Sequence, residues 1–285
     1  LYLGKVIFMS RNEDRMGAPD VSEGQSPAPV AKAAGAQMEW ATQTELVSLP
    51  SKGAHYREPH PLAGKSSVEI RFMTAKEEDI LTSKSLNRLV ESLVIDKRIK
   101  AGGLLVGDRN AILISARQTG YGDEYEVNMT CPACGTTNKT EYSISRIRKI
   151  KEPDLESANV TVNHETGYHL LQLPKSKVMV EFKLLTADDE VNAARKKEQK
   201  EKHRLAETLS TDLLRSILVS VNGSGNVADI NKAVEMMPAI DARHLRKIYK
   251  MVNPDIVLED YFVCESCGHN DDLEIPLSAE FFWPE

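Results

Sequence analysis

The four cysteines constrain what this chain can fold into more than any other feature. They are spent in two short units, Cys131-Pro132-Ala133-Cys134-Gly135 and Cys264-Glu265-Ser266-Cys267-Gly268, the second repeating the first at an offset of 133 residues (131 to 264, 134 to 267). A two-residue gap lets one tight turn aim two thiolates at a single ion, and zinc takes four such soft ligands in a tetrahedron. The glycine after each second cysteine allows the turn to close with positive φ. Cys131, Cys134, Cys264 and Cys267 are therefore predicted to hold one structural zinc ion, so the fold must bring two turns remote in sequence to one point.

Three competing chemistries fit less well. A thioredoxin-like redox pair sits at the start of a helix after a strand, whereas each unit here is followed by a polar turn and a second strand-like run. Two local disulfides would close very small loops and need an oxidising compartment. A catalytic zinc keeps one position open, and four thiolates leave none. His269 follows the second unit, but Thr136 stands in its place after the first. His164 and His169 lack metal-ligand spacing and are read as exposed loop or strand histidines.

Alternating patterns flank both units. Tyr125, Val127 and Met129 precede the first and Tyr142 and Ile144 follow it, while Tyr261-Phe262-Val263 and Leu273, Ile275 and Leu277 flank the second, so each unit is predicted at the tip of a β-hairpin.

A second internal repeat lies upstream. Val68-Glu-Ile-Arg-Phe-Met-Thr74-Ala-Lys-Glu-Glu78 recurs as Val180-Glu-Phe-Lys-Leu-Leu-Thr186-Ala-Asp-Asp-Glu190 at an offset of 112 (68 to 180), and Asp108 and Asp241 each open a helix-like run at the cysteine offset of 133. Both halves read in one order: strand, Thr-Ala helix start, helices, Asp-capped helix, strand, CxxCG, strand. Thr74 with Glu77 forms a capping box. Leu86, Leu89, Val90 and Leu93 make a buried helical stripe, as do Leu213, Leu214, Ile217, Leu218 and Val221 up to the turn at Asn222-Gly223, and Leu245, Ile248, Tyr249 and Val252 before Asn253-Pro254. The fold predicted is α+β, two related helical/β lobes joined by a zinc-ribbon-like pair of hairpin knuckles, with a first lobe over 46–150 and a second over 151–285.

Residues 1–45 are read as a flexible arm. From Gly17 to Gln37 the chain is rich in Pro, Gly, Ala and Ser and too poor in large apolar side chains to offset the entropy of ordering, although such an arm can order on a partner. Leu1–Phe8 is a short apolar piece with no signal-cleavage pattern after it; Met9 as the true start, or a short strand or anchoring peptide before it, are the readings open.

Several function classes are disfavoured. A net charge of −6 argues against broad affinity for nucleic acid. No uninterrupted apolar run approaches the length of a membrane span. The basic run from Arg195 to Arg204 is interrupted by Glu198 and Glu201 and lacks aromatic residues, which fits a solvated helix face. Gly64-Lys65-Ser66 resembles the end of a P-loop, but Pro59 stands where its first glycine would be. No catalytic residue set emerges, and the chain is predicted not to be an enzyme.

Leu49-Pro50-Ser51-Lys52-Gly53, Pro61-Leu62, the run Val68–Leu81 and the CPACG turn together resemble the T4-type bacteriophage baseplate hub family, over residues 46–285. That resemblance implies a structural or assembly role in the tail baseplate of the virion, with host cytoplasm as the site of assembly. It further implies other baseplate and tail proteins as partners, an oligomeric state set by tail symmetry, and no catalytic residues. The rival reading from another class is a zinc-ribbon regulator that binds nucleic acid or RNA polymerase.

Overall fold

The computed structural model describes residues 43–83, 85–163, 165–202, 209–275 and 279–282. Residues from 43 onward belong to one compact unit. The arm predicted over 1–45 lies outside the described residues except for its last three, of which Thr44 and Glu45 open the first strand.

Strands β1 (Thr44–Ser48) and β2 (Ser67–Arg71) pair antiparallel, with Val47, Val68 and Ile70 turned into the core. Helix α1 (Ala75–Thr82) starts where Thr74 and Glu77 predict it: the Glu77 carboxylate reaches back to the Thr74 N–H at 3.0 Å and takes the Thr74 hydroxyl at 2.6 Å. Helix α2 (Leu86–Leu93) buries Leu89, Val90 and Leu93, the face that its spacing of three and four residues aligns. Each such side chain contributes about 1.5–3 kcal/mol by leaving water. Helix α3 (Val106–Tyr121) leads into the hairpin of β3 (Glu124–Thr130) and β4 (Thr137–Ser143).

A short helix α4 (Ile144–Ile147) and strand β5 (Arg148–Lys151) follow, then helix α5 (Leu155–Ala158). Ile144, predicted as a strand residue, thus begins a helical turn, because Asp123 takes the Ser145 N–H and hydroxyl and bends the chain there. Strands β6 (Thr161–Val162), β7 (His169–Gln172) and β8 (Met179–Phe182) form an antiparallel sheet. Helices α6 (Ala187–Lys202) and α7 (Leu209–Ile217) come next. The helical stripe predicted as far as Val221 ends at Ile217. Leu218–Val221 is a strand, β9, because these residues complete the edge of β8, Val180 facing Val221 and Phe182 facing Leu218.

Helices α8 (Val227–Met236) and α9 (Ala239–Val252) lead into the long strand β10 (Asp255–Val263), which is flanked by β11 (Asn270–Glu274) and β5. A 3-10 turn, Ala279–Phe282, buries Phe281 and Phe282. Leu277 lies outside the described residues.

Asp108 and Asp241 do not cap their helices. Each is the third residue of its helix and fully buried, and each accepts hydrogen bonds from a distant loop. Asp108 takes the Ser51 N–H at 3.0 Å and the hydroxyls of Ser51 and Tyr56, both at 2.6 Å. Asp241 takes the N–H groups of Lys175 and Ser176 at 2.8 and 2.9 Å. A buried carboxylate must satisfy its lone pairs, and in both cases a turn after a leucine–proline pair supplies the donors.

Candidate metal centre

Both cysteine units sit where alternation places them, at hairpin tips: Cys131–Thr136 joins β3 to β4, and Cys264–His269 joins β10 to β11. The two turns are built alike. Cys131 N–H donates to Thr136 O at 2.9 Å and Gly135 N–H to Cys131 O at 2.9 Å; Cys264 N–H donates to His269 O at 2.8 Å and Gly268 N–H to Cys264 O at 2.9 Å. Gly135 and Gly268 hold φ of +72° and +70°, a conformation that an L side chain would strain.

The tips meet. All four sulfur atoms lie within 4.8 Å of one another, two from each hairpin. Across the junction Cys131 Sγ is 3.7 Å from Cys267 Sγ, and Cys134 Sγ is 3.6 Å from Cys264 Sγ. A tetrahedron with metal–sulfur bonds of about 2.3 Å has edges of about 3.8 Å, so the four thiols fit a tetrahedral ion. Cys131 and Cys264 are buried, Cys134 and Cys267 exposed, so the cluster has one face in the protein and one in water.

Backbone N–H groups of Cys267 and Ser266 face the Cys264 sulfur and hold its thiol below the ordinary range. Cys267 receives similar help from the His269 N–H, yet crowding by Cys134 and the other thiols pushes it above that range. Four sulfurs this close cannot all be thiolates without a cation among them.

Sequence reasoning missed Asn138. This buried β4 residue donates to Cys264 Sγ at 3.6 Å and accepts the Glu265 N–H at 3.2 Å, so one amide ties the first hairpin to the second beside the sulfurs. Asparagine in a polar strand gives no signal of such a partner more than a hundred residues away.

One histidine departs from the exposed position expected of it. His169 is fully buried on β7, its ring stacked on Phe182 with centroids 5.1 Å apart and 5.4 Å from His55, because its position on the strand faces the core. Burial, reinforced by the nearby His55, lowers its pKa to about 4. His164 lies outside the described residues. The basic run is carried as far as Lys202 by α6, which buries only Ala187 and neutralises Lys197 and Lys202 with Glu201 and Glu198. Gly64 forms a turn that returns the chain to Gly53, not a phosphate cradle. No helix among the described residues is long and apolar enough to cross a membrane.

Fold and site define a class: a mixed helix-and-sheet protein in which two hairpins, remote in sequence, converge on a single cluster of four thiols. Within that class the chain belongs to the T4 bacteriophage base plate protein family, whose model matches residues 43–283. No curated protein and no solved structure matches it significantly.

Proposed function

We propose that the chain is a non-enzymatic structural or assembly component of the hub region of a contractile phage tail baseplate, made rigid by one zinc ion on Cys131, Cys134, Cys264 and Cys267. The observation that carries the reading is the convergence of two thiols from each hairpin at tetrahedral spacing, in a chain of base plate family. Zinc suits an all-sulfur tetrahedral set, and a closed shell of four thiolates leaves no coordination position for a substrate. The ion's contribution is mechanical: no such site exists in the unfolded chain, so binding free energy becomes folding free energy.

In this reading residues 46–150 and 151–285 are two copies of one lobe. The geometry supports the pairing beyond the cysteines. Arg71 grips Glu77 at 2.6 Å beside Thr74, and Lys183 grips Asp189 at 2.8 Å beside Thr186, all four positions related by the offset of 112. Leu49 N–H bonds Ser66 O as Leu173 N–H bonds Val178 O, and these two loops feed Asp108 and Asp241. The longer α6 and the added α8 take up the extra 21 residues (133 against 112) of the second copy.

The rival reading, a zinc-ribbon regulator of nucleic acid, would need a basic surface at the knuckles. Residues 255–275 contain no Lys or Arg. The partners are then other baseplate and tail proteins within the virion, in a copy number fixed by tail symmetry, met first in the host cytoplasm.

The test joins metal content to assembly. Metal analysis of the purified chain is expected to give one zinc per chain, and native mass spectrometry of isolated tails is expected to find the chain bound there. Two irons, two disulfides or no metal would end the clamp; absence from tails and from their assembly intermediates would end the baseplate role.

A further inference from the structure

The two knuckle hairpins share one register and differ in what they show to solvent. Glu126, Asn128 and Thr130 on β3 face Glu141, Lys139 and Thr137 on β4; on the second hairpin Glu259, Tyr261 and Val263 on β10 face Glu274, Asp272 and Asn270 on β11. Every pair of one matches a pair of the other at the cysteine offset, and alternation along a strand puts these side chains on the face away from the core. On the first hairpin that face is polar, and Lys139 pairs with Glu126. On the second, Tyr261 and Val263 stand 56% and 54% exposed, side by side.

The knuckle itself does not demand them, since Asn128 and Thr130 serve the same backbone on the first hairpin with the same tip geometry. Their surroundings are acidic. Glu259 is neutralised by Lys149 at 2.9 Å, whose charge also reaches Asp272 and Asp260, while Glu265, Asp272 and Glu274 form no ion pair of their own among the described residues. An exposed tyrosine and valine rimmed by unpaired carboxylates has the anatomy of a protein interface, an apolar centre inside a charged rim. Unpaired carboxylates select a complementary rim and repel an acidic one.

We propose that the outer face of the β10–β11 hairpin, centred on Tyr261 and Val263, is a docking surface for a basic segment of another tail protein, one that sets an apolar side chain between lysines or arginines. This rests on the assembly reading above and adds to it the place and chemistry of one contact. The sign of the rim argues against nucleic acid.

Two measurements test it on the full, zinc-loaded chain. A synthetic peptide alternating lysine and valine is expected to bind with salt sensitivity, and its glutamate–valine counterpart not to bind. The triple variant Tyr261→Asn, Val263→Thr, Asp272→Lys copies the residues that the first hairpin carries, so it should retain its fold and metal while weakening the lysine peptide roughly tenfold or more. Equal binding of both peptides, or of wild type and variant, would overturn the proposal. In tails, the variant is expected to be depleted relative to wild type and to an Asn128→Ser control; incorporation at the wild-type level also overturns it. Absence of the wild-type chain from tails would defeat the assembly reading instead, leaving the peptide comparison to decide the surface.

Discussion

Asn138 and Glu77 show how much single polar residues hold in this structure. Asn138 spans the hairpins through Cys264 Sγ and the Glu265 N–H, and outer-shell partners of this kind orient thiolates without binding the ion. Asn138→Ala is predicted to lower zinc affinity about 10- to 100-fold in a chelator competition while leaving four ligands in place. Glu77 is fully buried; burial pushes its carboxyl up, but hydrogen bonds from Arg71, Thr74 and Ser92 outweigh it and hold the pKa at about 2, against 4.5 in the unfolded chain. The unfolded chain therefore takes up this proton first, and the stability that Glu77 gives above pH 4.5 is lost as pH falls toward 2. His169 acts in the same direction over a higher window: its unfolded form charges from about 6.5 downward, the folded form only near 4, so stability declines between those values. Unfolding midpoints measured against pH should show both slopes, with His169→Phe flattening the upper one and Glu77→Gln the lower. A His169→Phe protein with an unchanged upper slope would refute its assignment to His169.

Helix α3 and strand β10 illustrate what elements add to residues. Gly107 lies in the first turn of α3, and a Cβ built there would come within 2.2 Å of Pro254 O, at the entry to β10. Helix and strand approach backbone to backbone at that point. Gly107→Ala is predicted to destabilise the fold by about 1–3 kcal/mol in urea unfolding, because neither backbone can yield without moving its element. Gly103→Ala, with open space around its Cβ, should be close to neutral. Much at this scale was legible beforehand: the capping box at Thr74, the alternation of Tyr125, Val127 and Met129, and the tight glycine turns, all set by residues a few positions apart. What failed depends on distant partners. Leu218–Val221 continues a helical stripe in sequence but is drawn out as a strand by the open edge of β8, and Asp108 looks like a helix cap until Ser51 and Tyr56 arrive from a loop more than fifty residues earlier. Four thiols in two tight turns announced their own meeting because two such turns together offer the four soft ligands that a single tetrahedral ion takes. Asn138 carried no such local signature.

For the whole molecule, the segment after each hairpin is placed against the other half. Strand β5, which follows the first hairpin, pairs with β10, Ile150 opposite Ile256. Phe281, which follows the second, packs edge-on against Tyr125 of β3 with centroids 5.0 Å apart, and its carbonyl takes the buried Arg117 Nε–H at 2.6 Å. Arg117 Nη1 and Nη2 also donate, to Gly122 O and Glu124 O, so all three nitrogens of this guanidinium meet carbonyls and Nε holds the C-terminal turn on the first half. Each half thus lacks a strand or a plug that the other supplies, besides half of the thiol cluster. A half produced alone would expose the flank of β10, or the Tyr125 surface and an Arg117 Nε–H without its partner, and either loss costs several kcal/mol of the small margin that a domain holds. Fragments 43–153 and 154–285 are accordingly predicted to lack cooperative unfolding and near-ultraviolet circular dichroism when separate. Mixed with zinc they should recover both, with one ion per pair, and chelation should separate them again. Recovery without metal would place the main cohesion in the exchanged segments; a cooperative fold in either isolated fragment would refute the interlocking.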